Sequence, residues 1–268
     1  MHDFRPKQKQ RVLEHNKKAW DHQVDGGNPW TIPVNEEQVS EARSGNLRIF
    51  LTPTIPVPQH WFPVLKEARV LCLASGGGQQ GPLLAAAGAD VTVLDNSPKQ
   101  LSRDQEVAER EGLLLTTIQG DMRDLSLFEE ETFDLIVHPV SNVFVPDVRP
   151  VWKEAYRVLK NEASLLSGFD NPVCHLFDEE EYENGDLVVK NKIPHSDLKT
   201  LSQEEIARRY KEGIALEFGH TLDDQIGGQI ACGFVITGFY EDRYKEGDLL
   251  SEYIASFIAT KATKKASP

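Results

Sequence analysis

The stretch from Arg69 to Asp95, RVLCLASGGGQQGPLLAAAGADVTVLD, constrains the fold more than any other part of the chain. Val70–Leu73 is a short apolar run, the pattern of a parallel strand buried on both faces. Gly76, Gly77, Gly78 and Gly81 form a turn after it, and Pro82 stands in the first turn of a helix, where a missing N–H costs nothing. Leu83–Ala87 continues that helix, and Gly88 suits its left-handed end. Val91–Leu94 is a second apolar run, closing on Asp95. A strand, glycine turn, helix and strand ending in an acid form a unit suited to a nucleoside-bearing ligand. The glycines let the backbone approach that ligand, and the acid can accept hydrogen bonds from both ribose hydroxyls.

Charge and composition narrow the partners. The net charge is −13, and the short basic clusters Lys7–Arg11, Lys17–Lys18 and Lys261–Lys265 all lie near the termini. Phosphate neutralisation dominates nucleic-acid affinity, so this distribution points to a small-molecule partner and away from nucleic acid. No apolar run approaches the roughly 20 residues that a membrane helix needs. Met1–Gln10 is polar and charged, without the apolar core of a signal peptide, and Cys72, Cys174 and Cys232 form no close pair. A reduced, cytoplasmic protein is expected, with no metal-ligand cluster of His and Cys. Oligomeric state stays open.

In chain order, residues 1–64 read as a helical extension that acts as a lid. It holds an amphipathic helix around Val12, Leu13, Ala19 and Trp20, then the turn-rich segment Asp25–Thr31. A short helix near Glu36–Ser44 follows, then an extended connector, Leu51–Pro63, carrying Pro53, Pro56, Pro58 and Pro63. The α/β unit occupies 65–262. After Asp95, Ser97-Pro98-Lys99-Gln100 combines an N-cap, a proline and a capping-box glutamine, opening a helix that runs to Glu111 and stops at Gly112. Strands are expected at Leu114–Gln119, Phe133–Val137 and Ser164–Phe169, with a helix over Val148–Lys160 capped at Asn161. Residues 173–220 break the alternation and read as an insertion capping the substrate site, with strand-like Leu187–Lys190 and a helix from Ser202 to Gly213. A helix over Thr221–Ile230 and strands at Phe234–Tyr240 and Tyr253–Lys261 follow, leaving 263–268 as a tail. Two consecutive terminal strands imply an antiparallel hairpin on an otherwise parallel sheet.

Gly76-x-Gly78-x-x-Gly81 matches a dinucleotide fingerprint, with Asp95 at a suitable distance. Three features favour S-adenosyl-L-methionine instead. Gly120-Asp121-Met122 ends the third strand, where a carboxylate and a backbone N–H can read an adenine edge. The terminal hairpin is foreign to most dinucleotide folds. The N-terminal cover and the insertion both hang over the strand ends where ligands bind.

From about residue 65 to 262 the chain resembles the class I S-adenosylmethionine-dependent methyltransferases, close to the small-molecule type 11 group. The motif carrying this is Leu71-Cys72-Leu73-Ala74-Ser75-Gly76-Gly77-Gly78, against the family's acid-x-Gly-x-Gly-x-Gly. Gly76 and Gly78 match the later two glycines, Ala74 replaces the first, and Cys72 replaces the acid. In the family that acid helps hold the turn, so its job here is weakened or passes to another group. The resemblance implies a Rossmann-like α/β fold of seven strands, order 3-2-1-4-5-7-6, with the last strand antiparallel. It also implies cofactor contacts at Ala74, Ser75, Gly76, Gly78, Asp95, Asn96, Asp121, Met122 and His138. Asn16–Asp21, NKKAWD, resembles the helix preceding many such domains, which places Trp20 near the cofactor.

His138, at the end of the fourth strand, is the candidate catalytic residue, since that position faces the transferred methyl in the family. Its context, His138-Pro139-Val140-Ser141, lacks the Pro-Pro-aromatic pattern of base N-methylating enzymes. Trp30, Asn142, Asp170, Asn171 and His175 are candidate substrate-side groups, with His220 as a further one. The expected activity is in-line methyl transfer from S-adenosyl-L-methionine to a small molecule, releasing S-adenosyl-L-homocysteine. A non-catalytic cofactor-binding regulator and a nicotinamide-dependent oxidoreductase are the alternatives.

Overall fold

The structure, a computed structural model, describes residues 6–266. Residues 1–5 of the extension and 267–268 of the tail therefore lie outside the described residues. The helices are α1 (Pro6–Asp25), α2 (Glu36–Arg43), α3 (Gln80–Ala86), α4 (Pro98–Glu111), α5 (Arg149–Val158), α6 (Glu179–Glu183), α7 (Asp197–Thr200), α8 (Gln203–Glu212) and α9 (Gly228–Ala231). The strands are β1 (Arg69–Leu73), β2 (Asp90–Asp95), β3 (Leu115–Gln119), β4 (Phe133–His138), β5 (Leu159–Asp170), β6 (Phe234–Asp242) and β7 (Phe257–Lys264). They form one sheet in the order β3-β2-β1-β4-β5-β7-β6. β1 to β5 are parallel, and β7 runs antiparallel to both β5 and β6. This is the expected Rossmann-like arrangement.

Local chemistry explains where the helices start and stop. Asn35 and Gln38 form a reciprocal capping box on α2, as Ser202 and Glu205 do on α8. Ser97 accepts from the Gln100 N–H at the head of α4, and Gly112 ends it at φ 62°. Alternation along the strands then sorts side chains to two cores. Val70 and Cys72 of β1 join Val91, Val93, Leu135 and Val137 against α3 and α4. Leu71 and Leu73 point the other way, joining Leu94, Ile136 and the α5 residues Val151, Trp152, Ala155 and Val158. Cys72 is thus a strand-core side chain, fully buried.

The N-terminal segment is part of this packing. Val34, Val39, Leu47, Ile49, Leu51, Val57 and Trp61 belong to the same buried cluster as β1, β2 and β4. The proline-bearing connector crosses the strand ends, and its Leu51 carbonyl accepts from Val140 N–H at 3.1 Å. α1 lies over the insertion: Asn16 accepts from Leu216 N–H at 2.8 Å and donates to the Leu216 and Phe144 carbonyls, each at 2.9 Å. Among the described residues, no helix is long and apolar enough to cross a membrane.

Several boundaries differ from expectation. α5 ends at Val158 and β5 starts directly at Leu159. Leu159 pairs with Phe133, and pairing resumes only at Ser164 opposite Leu135, so the intervening residues bulge. The left-handed residue there is Glu162 at φ 62°, not Asn161. The final strand begins at Phe257 instead of Tyr253, because Tyr253 caps the 3-10 turn Leu250–Glu252 and pairing with β5 starts only at Phe257. Leu187–Lys190 contributes only an isolated bridge, Phe177 to Val189.

Gly168 marks where the connector presses on β5. A Cβ there would fall 2.2 Å from the Leu51 carbonyl oxygen, a backbone atom with no freedom to rotate away. Gly168→Ala is expected to destabilise the protein by about 2 kcal/mol or more, read from urea midpoints at unchanged slope.

Candidate active site

A cavity of about 440 Å³ runs along the C-terminal ends of the strands. Its wall includes Trp20, Trp30, Ala74, Ser75, Gly76, Asp95, Asn96, Asp121, Met122, Asp170 and His175, all predicted from sequence. Ligands of open α/β sheets bind at this edge.

The glycine turn after β1 is held from two sides. Ala74 donates its N–H to the Leu94 carbonyl at 2.7 Å and sits at φ 47°, the left-handed region that the family's glycine occupies freely. An alanine there bears a steric cost of about 1 kcal/mol, sustained by the surrounding turn. Gly76 N–H donates to Asp95 Oδ2 at 3.0 Å, and Ser97 N–H donates to Asp95 Oδ1 at 2.8 Å. A Cβ on Gly76 would lie 2.7 Å from Gln100 Cβ and 3.1 Å from Asp95 Cγ, so the close approach requires glycine. Burial raises the Asp95 carboxyl, against the pull of its backbone N–H donors.

Sequence reasoning missed Asp104. It is fully buried on α4, and its Oδ2 accepts from Gly77 N–H at 3.0 Å. A carboxyl group on α4 therefore braces the turn from across it, while Cys72 on β1 packs into the core. The signal was present: Leu101, Asp104, Val107 and Ala108 share the buried face at helical spacing, and an acid on such a face needs a partner. Gln80 and Gln100 were also missed. Gln80 accepts from Ser75 Oγ at 3.1 Å and donates to the Phe50 carbonyl at 3.0 Å, tying connector to turn. Gln100 lines the cavity with a buried Oε1 that has no hydrogen-bond partner.

Five predicted residues lie off the wall. Gly78, at φ 72°, serves packing: a Cβ would meet Pro33 Cβ and the Arg103 carbonyl, each at 2.7 Å. His138 is wholly buried, with Nδ1 2.8 Å from the Leu73 carbonyl and Nε2 2.8 Å from Asn142 Oδ1. Burial lowers its pKa. With both nitrogens engaged and no face on the cavity, His138 is a structural histidine in this conformation. Asn142 continues that buried network to Gln225. Asn171 caps the Pro172–His175 turn and donates to the Ala255 carbonyl. His220 is likewise buried, against the Asn142 carbonyl at 3.0 Å.

At the far end, Asp170 Oδ2 and His175 Nε2 are 2.5 Å apart. Burial alone would raise the Asp170 carboxyl, but the imidazole beside it holds it below the usual range. His175, which burial would lower, is raised by the Asp170 carboxylate. Its ring stacks on His195 at 5.5 Å between centroids and packs on Gly219, where a Cβ would sit 2.5 Å from His175 Cδ2. Asp121, at the near end, receives Arg123 Nη2 at 2.6 Å.

The glycine turn, the acid after β2 and the seven-stranded order define a class of protein, and comparison with known proteins agrees. Residues 71–167 match the family described as a methyltransferase domain. The chain is 55% identical over 253 residues to the uncharacterized methyltransferase YbaJ of Bacillus subtilis (strain 168), covering 94% of this chain and 98% of that protein. A shorter match, 33% identical over 104 residues, relates 38% of this chain to 27% of the sterol 24-C-methyltransferase erg6 of Aspergillus fumigatus. The crystal structure of an S-adenosylmethionine dependent methyltransferase from Mesorhizobium loti superposes with a TM-score of 0.58 at 16% identity, over 76% of this chain and 94% of that one. The chain belongs to the class I S-adenosylmethionine-dependent methyltransferases, and it is an enzyme of that class.

Asp104 supplies a test of how the turn is held. Burial pushes its carboxyl from 3.8 up to about 8. A folded-state pKa above the unfolded value means stability that is complete below about pH 4 and lost as pH rises through about 8. Asp104→Asn keeps an oxygen for Gly77 N–H but cannot ionise. Between those limits, wild type is expected to lose stability with rising pH relative to Asp104→Asn, measured by denaturant unfolding at each pH.

Proposed function

We propose that the protein transfers a methyl group from S-adenosyl-L-methionine to a small-molecule acceptor by in-line displacement. The observation that carries this reading is the single cavity joining the Gly76–Asp95 end to the Asp170–His175 end. The net charge of −13 supports a small acceptor over a nucleic acid. So does the similarity to the sterol 24-C-methyltransferase erg6, an enzyme named for a small-molecule substrate.

The residues present suit the cofactor. In this reading Asp95 accepts from ribose hydroxyls and Asp121 and Met122 flank an adenine, which is supported by all three lining the cavity. Gly76, which admits no Cβ, leaves room for the backbone to meet the ligand, and the partnerless Oε1 of Gln100 needs a donor beside it. When bound, the cofactor supplies an electrophilic methyl on a positive sulfur that leaves neutral, so the protein needs no general acid. Its remaining work is alignment, which effective-molarity arguments value at several kcal/mol. Trp20, packed edge-on against Phe144 at 5.1 Å between centroids, and Trp30 close the outer wall against water.

Calorimetric titration with S-adenosyl-L-homocysteine tests the reading. Wild type is expected to bind, and Asp95→Ala to bind at least about tenfold more weakly, roughly 1.4 kcal/mol. Asp90→Ala, at an exposed strand start, serves as the control. No binding by wild type, or equal binding by Asp95→Ala, would overturn the assignment.

A further inference from the structure

From Asp121 beyond β3 to Phe257 at the start of β7, the cavity wall crosses five strand intervals. At about 4.8 Å per interval that is roughly 24 Å. The nucleoside end, beyond β3, β2 and β1, accounts for the first part. The wall beyond β5 and β7 is left for the acceptor, and its chemistry is specific. Three aromatic rings stand in a row there: Trp30 to Tyr244 at 6.3 Å and Tyr244 to Phe257 at 6.0 Å between centroids. Asp170 and Glu217 face the same space.

These two carboxylates are short of donors. Asp170 is 8% exposed, and its Oδ1 is buried without a hydrogen-bond partner, since His175 takes only Oδ2. The Glu217 side chain has no hydrogen bond among the described residues, while its backbone N–H is committed to Asp197. The nearby cations Arg209 and His175 favour the Glu217 carboxylate through their charge but bond elsewhere. Arg209 is paired with Glu179 at 2.9 Å and Asp197 at 3.7 Å, and His175 with Asp170. Lys245 lies over the Tyr244 ring at 5.4 Å, on an exposed residue. Buried carboxylate oxygens without donors are costly, and aromatic faces attract cations.

We propose that the β5–β7 end of the cavity is an ammonium site, and that the methyl acceptor is a primary or secondary amine carried on an apolar body. This rests on the transferase reading above. An ammonium has N–H bonds enough for both Asp170 Oδ1 and Glu217, and its charge adds to those of His175 and Arg209 in balancing Glu217, which has no ion pair of its own among the described residues. Burial raises the Glu217 carboxyl, which suits it to take a proton. The ammonium passes one N–H proton to Glu217, the electron pair stays on nitrogen, and that pair forms the new N–C bond. The methyl–sulfur bonding pair goes to sulfur, so the positive charge moves from sulfur to the N-methylammonium product. Glu217 then releases its proton to solvent.

The test uses the full chain saturated with S-adenosyl-L-homocysteine and titrated calorimetrically with benzylamine, benzyl alcohol and benzoate at neutral pH. Benzylamine is expected to bind at least about tenfold more tightly than either of the others. Glu217→Gln, of nearly the same shape, is expected to bring benzylamine down to the level of the alcohol while S-adenosyl-L-homocysteine affinity holds within about twofold. Asp170→Asn is the second variant should Glu217→Gln fail to fold, with the same expected loss. Alcohol or benzoate binding as tightly as benzylamine, no benzylamine binding, or a preference that survives the substitution would each overturn the amine site alone. Failure of wild type to take S-adenosyl-L-homocysteine would overturn the transferase reading and this inference with it.

Discussion

Two carboxyl groups, a half-buried Asp95 and a fully buried Asp104, grip the turn between β1 and α3, and the rest of the site is arranged around that grip. Asp95 binds the N–H of Gly76 from the end of β2, and Asp104 binds the N–H of Gly77 from α4. Neither acid is on the strand that leads into the turn. The loop is held by its neighbours, which lets Cys72 be a packing residue on β1. It also sets Ala74 in a left-handed conformation that an unbraced alanine would avoid. A site that must present backbone to a ligand needs such external support, because glycines have no side chains with which to hold themselves.

The cover over the strand ends is held by hydrogen bonds to its backbone as well as by the buried apolar cluster of Val12, Leu216 and Phe218. Asn16 of α1 satisfies both the N–H and the carbonyl of Leu216, as a neighbouring strand would. His15 meets the Ile214 carbonyl at 2.7 Å, two residues earlier. Irregular chain buried beneath a helix must find such partners, and α1 supplies them through polar side chains. The same helix carries Trp20 to the cavity wall. α1, the 214–218 segment and the cavity wall therefore pack together, and residues 34–61 share the core of the sheet.

Most of the fold was legible in the sequence because its signals are local. The capping residues Ser97, Ser202 and Gly112 and the apolar runs of β1, β2 and β4 each act within a few residues. The boundaries that shifted, at the starts of β5 and β7, are set by pairing to distant strands, which no local pattern records. In the site, Ala74, Gly76, Asp95 and Asp121 were visible through spacing after strands. Glu217, Tyr244 and Phe257 were not, because they come from an insertion and a hairpin with no motif of their own.

His138 shows the limit most clearly. Position after β4 made it the natural catalytic candidate, yet its side chain turns inward, where Leu73 and Asn142 occupy both ring nitrogens. The stretch from Arg69 to Asp95 by itself determined a βαβ unit with a glycine turn and an acid after its second strand, since strand, turn and helix propensities are properties of adjacent residues. Which way each side chain points, which acid braces the turn, and which carboxylates line the β5–β7 end of the cavity were decided only by tertiary packing. Those depend on residues far apart in sequence, such as Gly77, which bonds to Asp104, and Asp170 and Glu217, which line one cavity.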